Sequence, residues 1–238
     1  MSISENVAAI RARIDAAAAE SGRTGADITL VAATKMNDAG RVREAVAAGV
    51  DVCGENRVQE LLEKNEQHAY DGAPLHFIGH LQTNKVKYLV GLVDLIQSVD
   101  SEALLREIEK RAVKLDCTQD VLIEVNIAGE AAKSGVAPEN LDKLLAFAET
   151  CPHVRVCGLM AIPPVSVGKD GNHAHFCRMK ELFVDIGRKK YNNVIMQFLS
   201  MGMSDDFEDA IRCGANMVRV GSSIFGARNY GAPVQKSE

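Results

Sequence analysis

No apolar run in the 238-residue sequence approaches the roughly 18 residues of a membrane span, which excludes a helical anchor and predicts a soluble chain. The opening Met-Ser-Ile-Ser-Glu-Asn-Val has neither the basic region and apolar stretch of a secretory signal nor the arginine bias of an organelle presequence, so a cytoplasmic location is expected. The six cysteines (53, 117, 151, 157, 177 and 213) lack the short paired spacings of a zinc site or disulfide framework and read as buried thiols in a reducing compartment. A basic stripe is also missing. With a net charge of -5 the chain has no means of neutralising a phosphate backbone, which argues against a nucleic-acid partner. Linkers, charge blocks and low-complexity segments are absent too, and no second domain is expected.

What is present is ordinary in bulk, 47% hydrophobic and 25% charged residues, and specific in pattern. Residues 3 to 22 form an alanine-rich amphipathic helix with Val7, Ile10, Ile14 and Ala17 on one face, stopped by Ser-Gly-Arg-Thr-Gly. Eight candidate strands follow, at 28–34, 51–54, 75–79, 93–98, 119–125, 154–160, 194–199 and 216–220. Helical stretches alternate with them near 39–48, 56–67, 83–90, 101–115, 138–150, 173–189 and 204–213, with a short last one after 222. Parallel strands need crossover connections, and eight such units in about 250 residues predict an α/β fold, a single TIM-type (β/α)8 barrel with an extra N-terminal helix. One domain over 1–238 is expected, with 1–22 as the leading helix and 231–238 as a flexible tail.

In such a barrel the loops after the strands build the site, so Lys35, Asn56, His80, Met160, Ser200 and Arg219 are expected at one rim. Lys35 ends the mostly apolar, β-branched run that begins at Ile28, which places an amine at the tip of a buried strand. Partial desolvation there should lower its pKa toward the nucleophilic range, and a free amine attacks an aldehyde. The segments Ser-Met-Gly-Met-Ser (200–204) and Arg-Val-Gly-Ser-Ser (219–223) close strands seven and eight, where barrels often bind phosphate through glycine N–H groups. A phosphate at Ser200, Gly221 and Ser222 is therefore expected, although each glycine taken singly also reads as a tight turn. An amine beside a phosphate cradle implies an aldehyde or ketone phosphate. The leading candidate is pyridoxal 5′-phosphate (PLP), held as a Schiff base on Lys35 with Arg219 as the candidate partner of its pyridine nitrogen. A guanidinium donates but does not accept, so that nitrogen would stay unprotonated and the ring a weak electron sink.

These segments also carry a resemblance. Ala-Thr-Lys (33–35), Gly-Glu-Asn-Arg-Val-Gln-Glu (54–60), His-Phe-Ile-Gly-His-Leu-Gln-Thr-Asn-Lys (76–85), Gly-Leu-Met-Ala-Ile-Pro (158–163), Leu-Ser-Met-Gly-Met-Ser-Asp-Asp (199–206) and Val-Arg-Val-Gly-Ser-Ser-Ile-Phe-Gly-Ala-Arg (218–228) resemble the YggS/PROSC family in order and over nearly the whole chain. That family comprises PLP homeostasis proteins, barrels similar to the N-terminal domain of alanine racemase. The resemblance implies PLP covalently bound at Lys35, phosphate contacts from Ser200, Gly221 and Ser222, Arg219 by the pyridine nitrogen, Asn56 near the ring substituents and Met160 on the ring face. Departures from the family pattern are Leu75, Arg57 and Ser222, where an aromatic residue, tyrosine and threonine are usual. Serine keeps the hydroxyl, whereas Arg57 alters the charge of the rim.

The resemblance implies storage and delivery of PLP to apoenzymes by a monomer, without robust catalysis. The alternative is an enzyme, either a PLP-dependent racemase or a Schiff-base aldolase. A racemase needs a second acid-base group opposite Lys35, and none of Tyr70, Tyr88, Tyr191 and Tyr230 ends a strand. An aldolase would draw on Glu55 or Glu124, both more simply read as hydrogen-bonding residues of the barrel mouth. His173, His175 and Cys177 have metal-like spacing, but alternate residues on a helix do not face one another, so they read as a solvated loop. His80 is unassigned, and Lys85 and Lys87 read as a solvated helix face.

Overall fold

The computed structural model describes residues 1–130, 133–164 and 171–226. The eight strands form in the expected order: β1 (Thr29–Ala33), β2 (Val52–Glu55), β3 (Leu75–Phe77), β4 (Leu95–Val99), β5 (Gln119–Glu124), β6 (Val154–Met160), β7 (Val194–Ser200) and β8 (Met217–Val220). Each pairs in parallel with the next, and β8 returns to β1 through Thr29 opposite Met217, closing the barrel. Closure buries β2, β3, β4 and β8 on both faces along their whole length, while β7 keeps an open face on which Ile195 is 56% exposed. Val31, Val52, Ile78, Leu95, Leu122, Cys157, Met160 and Met217 pack together as one cluster, and a second, larger cluster joins strands to helices.

The helices are α1 (Ile3–Glu20), α2 (Ala39–Ala47), α3 (Val58–Glu66), α4 (Glu102–Leu115), α5 (Leu141–Ala148), α6 (His173–Gly187), α7 (Phe207–Arg212) and α8 (Ser222–Phe225). Ser2 and Glu5 cap α1 reciprocally, each side chain taking the other's backbone N–H. Its apolar face, Val7, Ile10, Ile14 and Ala17, is at most 2% exposed, as its spacing predicts. Arg13 holds the helix to α7 by two hydrogen bonds of 2.8 Å to Glu208.

Three helices differ from expectation, one of them α5, which starts at Leu141 after a separate 3₁₀ turn at Pro138–Asn140. The stretch expected as a helix over 83–90 is a 3₁₀ helix, Thr83–Tyr88, because Thr83, Asn84 and Val86 are weak helix formers and only Val86 is buried to hold the segment. Helix α7 begins at Phe207 rather than 204, because the Asp206 carboxylate accepts the Met203 N–H at 2.7 Å and folds the preceding residues into a turn. Between β6 and β7 the register shifts at Gly158, whose φ of +144° and approach to the Phe198 carbonyl leave no room for a side chain. All six cysteines are free. Most of the 162–172 connection (165–170), Tyr230 and the 231–238 tail lie outside the described residues.

Candidate functional site

The rim around Lys35 is fixed from beneath by a buried polar cluster. Thr34, fully buried, directs its hydroxyl at Glu55 Oε2 (2.9 Å) and the Gly54 carbonyl (3.1 Å). From α3, Lys64 Nζ donates to Glu55 Oε2 at 2.6 Å and to the Thr34 carbonyl at 2.8 Å. Glu60 accepts the Met36 N–H at 2.8 Å, and Met36 sits in the left-handed region at φ +60°, which a side chain adopts only when its surroundings impose it. The residues on either side of Lys35 are thus held, and Lys35, itself half-buried, faces a cavity of about 360 Å³.

That cavity also receives Arg219, Gly221 and Ser222 from the end of β8 and the turn after it, as the sequence leads one to expect. Five further polar residues on its wall were not among the expected site residues: Asn37, Asp38, Arg41, Asp205 and Ser204, the last of which ends the 200–204 segment expected to bind phosphate. The Ser204 hydroxyl accepts the Gly221 N–H at 3.2 Å and lies 3.5 Å from the Ser223 N–H, so it ties the two glycine-serine segments together. Arg41 donates from Nε to Asn37 Oδ1 at 3.1 Å and from a terminal nitrogen to the Phe225 carbonyl. Three cations, Lys35, Arg41 and Arg219, against two carboxylates, Asp38 and Asp205, make the wall suited to an anion.

The remaining candidates are not on the cavity wall. Met160 is fully buried in the cluster inside the barrel. The Asn56 N–H donates to Glu55 Oε1 at 2.8 Å, and its buried Oδ1 has no partner among the described residues. Ser200 is fully buried, and its hydroxyl accepts from Arg219 at 2.6 Å and donates to Gln97 Oε1 at 2.7 Å. The second Arg219 terminal nitrogen donates to the Ala161 carbonyl at 2.8 Å. Burial brings the Arg219 pKa down to about 10, against the pull of Glu124 and Asp206, which leaves it cationic at neutral pH. His80 is exposed, and burial raises the pKa of Glu124, whose carboxylate accepts from Ser134 at 2.7 Å.

The chain of bonds continues inward from Ser200. Gln97 donates to His76 Nδ1 at 2.9 Å, which requires a neutral imidazole, and burial depresses the His76 pKa to about 4. The unfolded chain, with an ordinary histidine, takes up this proton first as pH falls. The stabilisation is complete above about 6.5 and declines by about 3 kcal/mol as pH approaches 4. Urea unfolding of wild type and His76→Gln at pH 7 and pH 4 should show the difference between them shrinking by that amount. A difference independent of pH would mean that His76 takes up its proton at the same pH in the barrel as in the unfolded chain.

The family model for the alanine racemase N-terminal domain matches residues 6–229. The pyridoxal phosphate homeostasis protein of Aquifex aeolicus is 45% identical over 230 residues, covering 97% of this chain and 100% of the relative. The protein of the same name from Pseudomonas aeruginosa is 42% identical over 232 residues, covering 97% and 98%. Among solved structures, PipY of Synechococcus elongatus with PLP bound superposes with a TM-score of 0.81 at 30% identity, covering 94% of this chain and 100% of PipY. The alanine racemase of Clostridium difficile 630, at 15% identity and a TM-score of 0.65 over 85% of this chain and 53% of its own, shares the fold. Eight parallel strands closed around one rim, a family match over nearly the full length and these identities together mean that the chain belongs to the alanine racemase N-terminal-domain family and, within it, to the pyridoxal phosphate homeostasis proteins.

Proposed function

We propose that this chain binds PLP covalently through Lys35 and serves in its homeostasis, holding the cofactor and releasing it to apoenzymes that use it, as a single-domain cytoplasmic monomer. The observation that carries the reading is the meeting of Lys35, Arg219 and the Ser204, Gly221 and Ser222 turn on one cavity of about 360 Å³. The names of its relatives and the PLP bound to PipY support the same ligand. When bound, PLP supplies an aldehyde that condenses with an amine, releasing water, and a ring that can delocalise electrons.

The protein's own groups divide the remaining work. Lys35 provides the amine, and its fixed neighbours Thr34 and Met36 restrict where that amine points. Ser204, Gly221 and Ser222 are assigned the phosphate, with the Arg41 guanidinium adding charge at the same wall. Ser200, its hydroxyl engaged by Arg219 and Gln97, is assigned to hold Arg219 in place. Arg219 is assigned the ring nitrogen, and the buried, unpartnered Oδ1 of Asn56 a donor among the ring substituents, although Asn56 is off the cavity wall; Met160, with no exposed surface inside the barrel, is not assigned the ring face. Glu55 and Glu124 are engaged by Lys64 and Ser134 and do not line the cavity, nor do Tyr70, Tyr88 and Tyr191. The placing of these carboxylates and phenols supports a carrier over an aldolase or racemase.

The test is the visible absorption of the protein after PLP addition and gel filtration, followed by borohydride reduction and peptide mapping, with racemisation of alanine assayed alongside. A retained chromophore, an adduct on Lys35 and no turnover are expected; a colourless protein would sink the reading. Ser204→Ala should weaken PLP binding by about tenfold to a hundredfold, the range for a hydrogen bond to a charged group, in a spectral titration. Unchanged affinity would remove Ser204 from the phosphate site.

A further inference from the structure

Outside the cavity, three soft or borderline ligand groups converge between α6 and α7. His173 opens α6, Cys177 follows one turn later on the same face, and Cys213 comes from the end of α7. The two Sγ atoms are 3.2 Å apart, and His173 presents Nε2 to Cys177 and Nδ1 to Cys213 at 3.4 Å each. His173, Cys177 and Cys213 place their ligand atoms within 4.8 Å of one another. Asp209 Oδ1 lies 2.9 Å from His173 Nδ1, the carboxylate-imidazole pairing that fixes a ring so that its other nitrogen can bind a metal. His175, which completes the spacing visible in the sequence, is not in the cluster; Cys213, distant in sequence, takes its place.

We propose that His173, Cys177 and Cys213 form a binding site for a zinc-class divalent cation, oriented by Asp209 and separate from the Lys35 cavity. Tetrahedral zinc with bonds of about 2.3 Å to sulfur and about 2.0 Å to nitrogen separates its sulfur ligands by ~3.8 Å and sulfur from nitrogen by ~3.5 Å. The Cys177–Cys213 spacing of 3.2 Å and the spacing of 3.4 Å from Cys177 to His173 Nε2 reach those values with movement of about half an ångström, and the three ligand atoms lie within 4.8 Å of one another. Two thiolates and an imidazole favour zinc over magnesium or calcium, which take oxygen ligands. Binding releases the thiol protons and leaves one position for water. The exposed His173 ring, 58% accessible, provides the entry side, while Cys213 anchors the site at the buried end. A bound ion would pin the start of α6 to α7, beside Asn172, which already bridges the Pro164 carbonyl and Asp206.

The experiment is titration of the full-length, reduced, chelator-stripped protein with Co²⁺, then displacement by Zn²⁺. One equivalent of Co²⁺ should give the sulfur-to-metal charge-transfer absorption and strong visible bands of a tetrahedral site, both abolished by Zn²⁺. Cys177→Ser and Cys213→Ser should lose the charge-transfer band, and Asp209→Asn should weaken binding by about 10–100-fold. His173→Ala, at an exposed helix start, gives a variant whose fold is checked by circular dichroism and which should also lose stoichiometric binding, whereas His175→Ala should bind like wild type. Absence of the band in the reduced wild type, or its survival in both cysteine variants, overturns the site. So does a chain that takes up no Co²⁺ but links Cys177 to Cys213 when oxidised by hydrogen peroxide.

Discussion

Lys35→Ala is expected to lose the borohydride-reducible PLP adduct completely, together with the chromophore that survives gel filtration. Among the described residues lining the cavity, Lys35 is the one primary amine; Arg41 and Arg219 carry guanidinium groups that stay protonated and do not attack an aldehyde. Lys64 lies close in the fold, but it is 8% accessible and bonded to Glu55, Thr34 and Glu60, so it does not substitute. The variant should retain a weak, reversible affinity through Ser204, Gly221, Ser222 and Arg219, detectable by equilibrium titration and lost on dilution. Peptide mapping decides the matter: adduct of equal yield on another lysine in the variant would mean that Lys35 is not the carrier of the group.

Lys64→Met should destabilise the fold by about 3–5 kcal/mol, the cost of removing one partner from a buried ion pair, because Glu55 is then left as an uncompensated charge. The pair is 2.6 Å apart, with Glu55 wholly inaccessible. Thr34 and the Asn56 N–H still reach the carboxylate, but neither carries a charge. Against a usual stability of about 5–15 kcal/mol, this is a large fraction. Urea unfolding measures it as a lower midpoint at unchanged slope. The double variant Lys64→Met with Glu55→Gln should recover much of the loss, since the stranded charge is gone. A loss under about 1 kcal/mol in the single variant would show that water reaches the pair. The same substitution also removes a hydrogen bond from the Thr34 carbonyl, so weaker PLP retention is expected with it.

The eight strands and the leading helix were legible in the sequence because each carries its own periodic signal. Strands buried on both faces read as short apolar runs, and the α1 positions Val7, Ile10, Ile14 and Ala17 recur at helical spacing. Lys35, Arg219, Gly221 and Ser222 were legible for a related reason: once eight strand-helix units are counted, strand ends must gather at one rim. The 3₁₀ segment Thr83–Tyr88 was not, since a few lysines around one buried valine resemble an amphipathic helix until hydrogen bonding chooses the tighter turn.

Which polar groups meet inside that frame was decided by tertiary structure. Barrel closure sets the stagger of β3, β4, β7 and β8, and only that stagger makes a chain of His76, Gln97, Ser200 and Arg219, turning the Ser200 hydroxyl inward and leaving Ser204 at the cavity. The packing of α3 on β2 delivers Lys64 to Glu55, and the packing of α6 beside α7 brings Cys213 to His173 across 40 residues and to Cys177 across 36. Sequence determined the elements, their order and the rim, because those follow from local periodicity and from the count of units. The partner of each buried polar group depends on distances between elements, which the chain acquires only when the barrel closes.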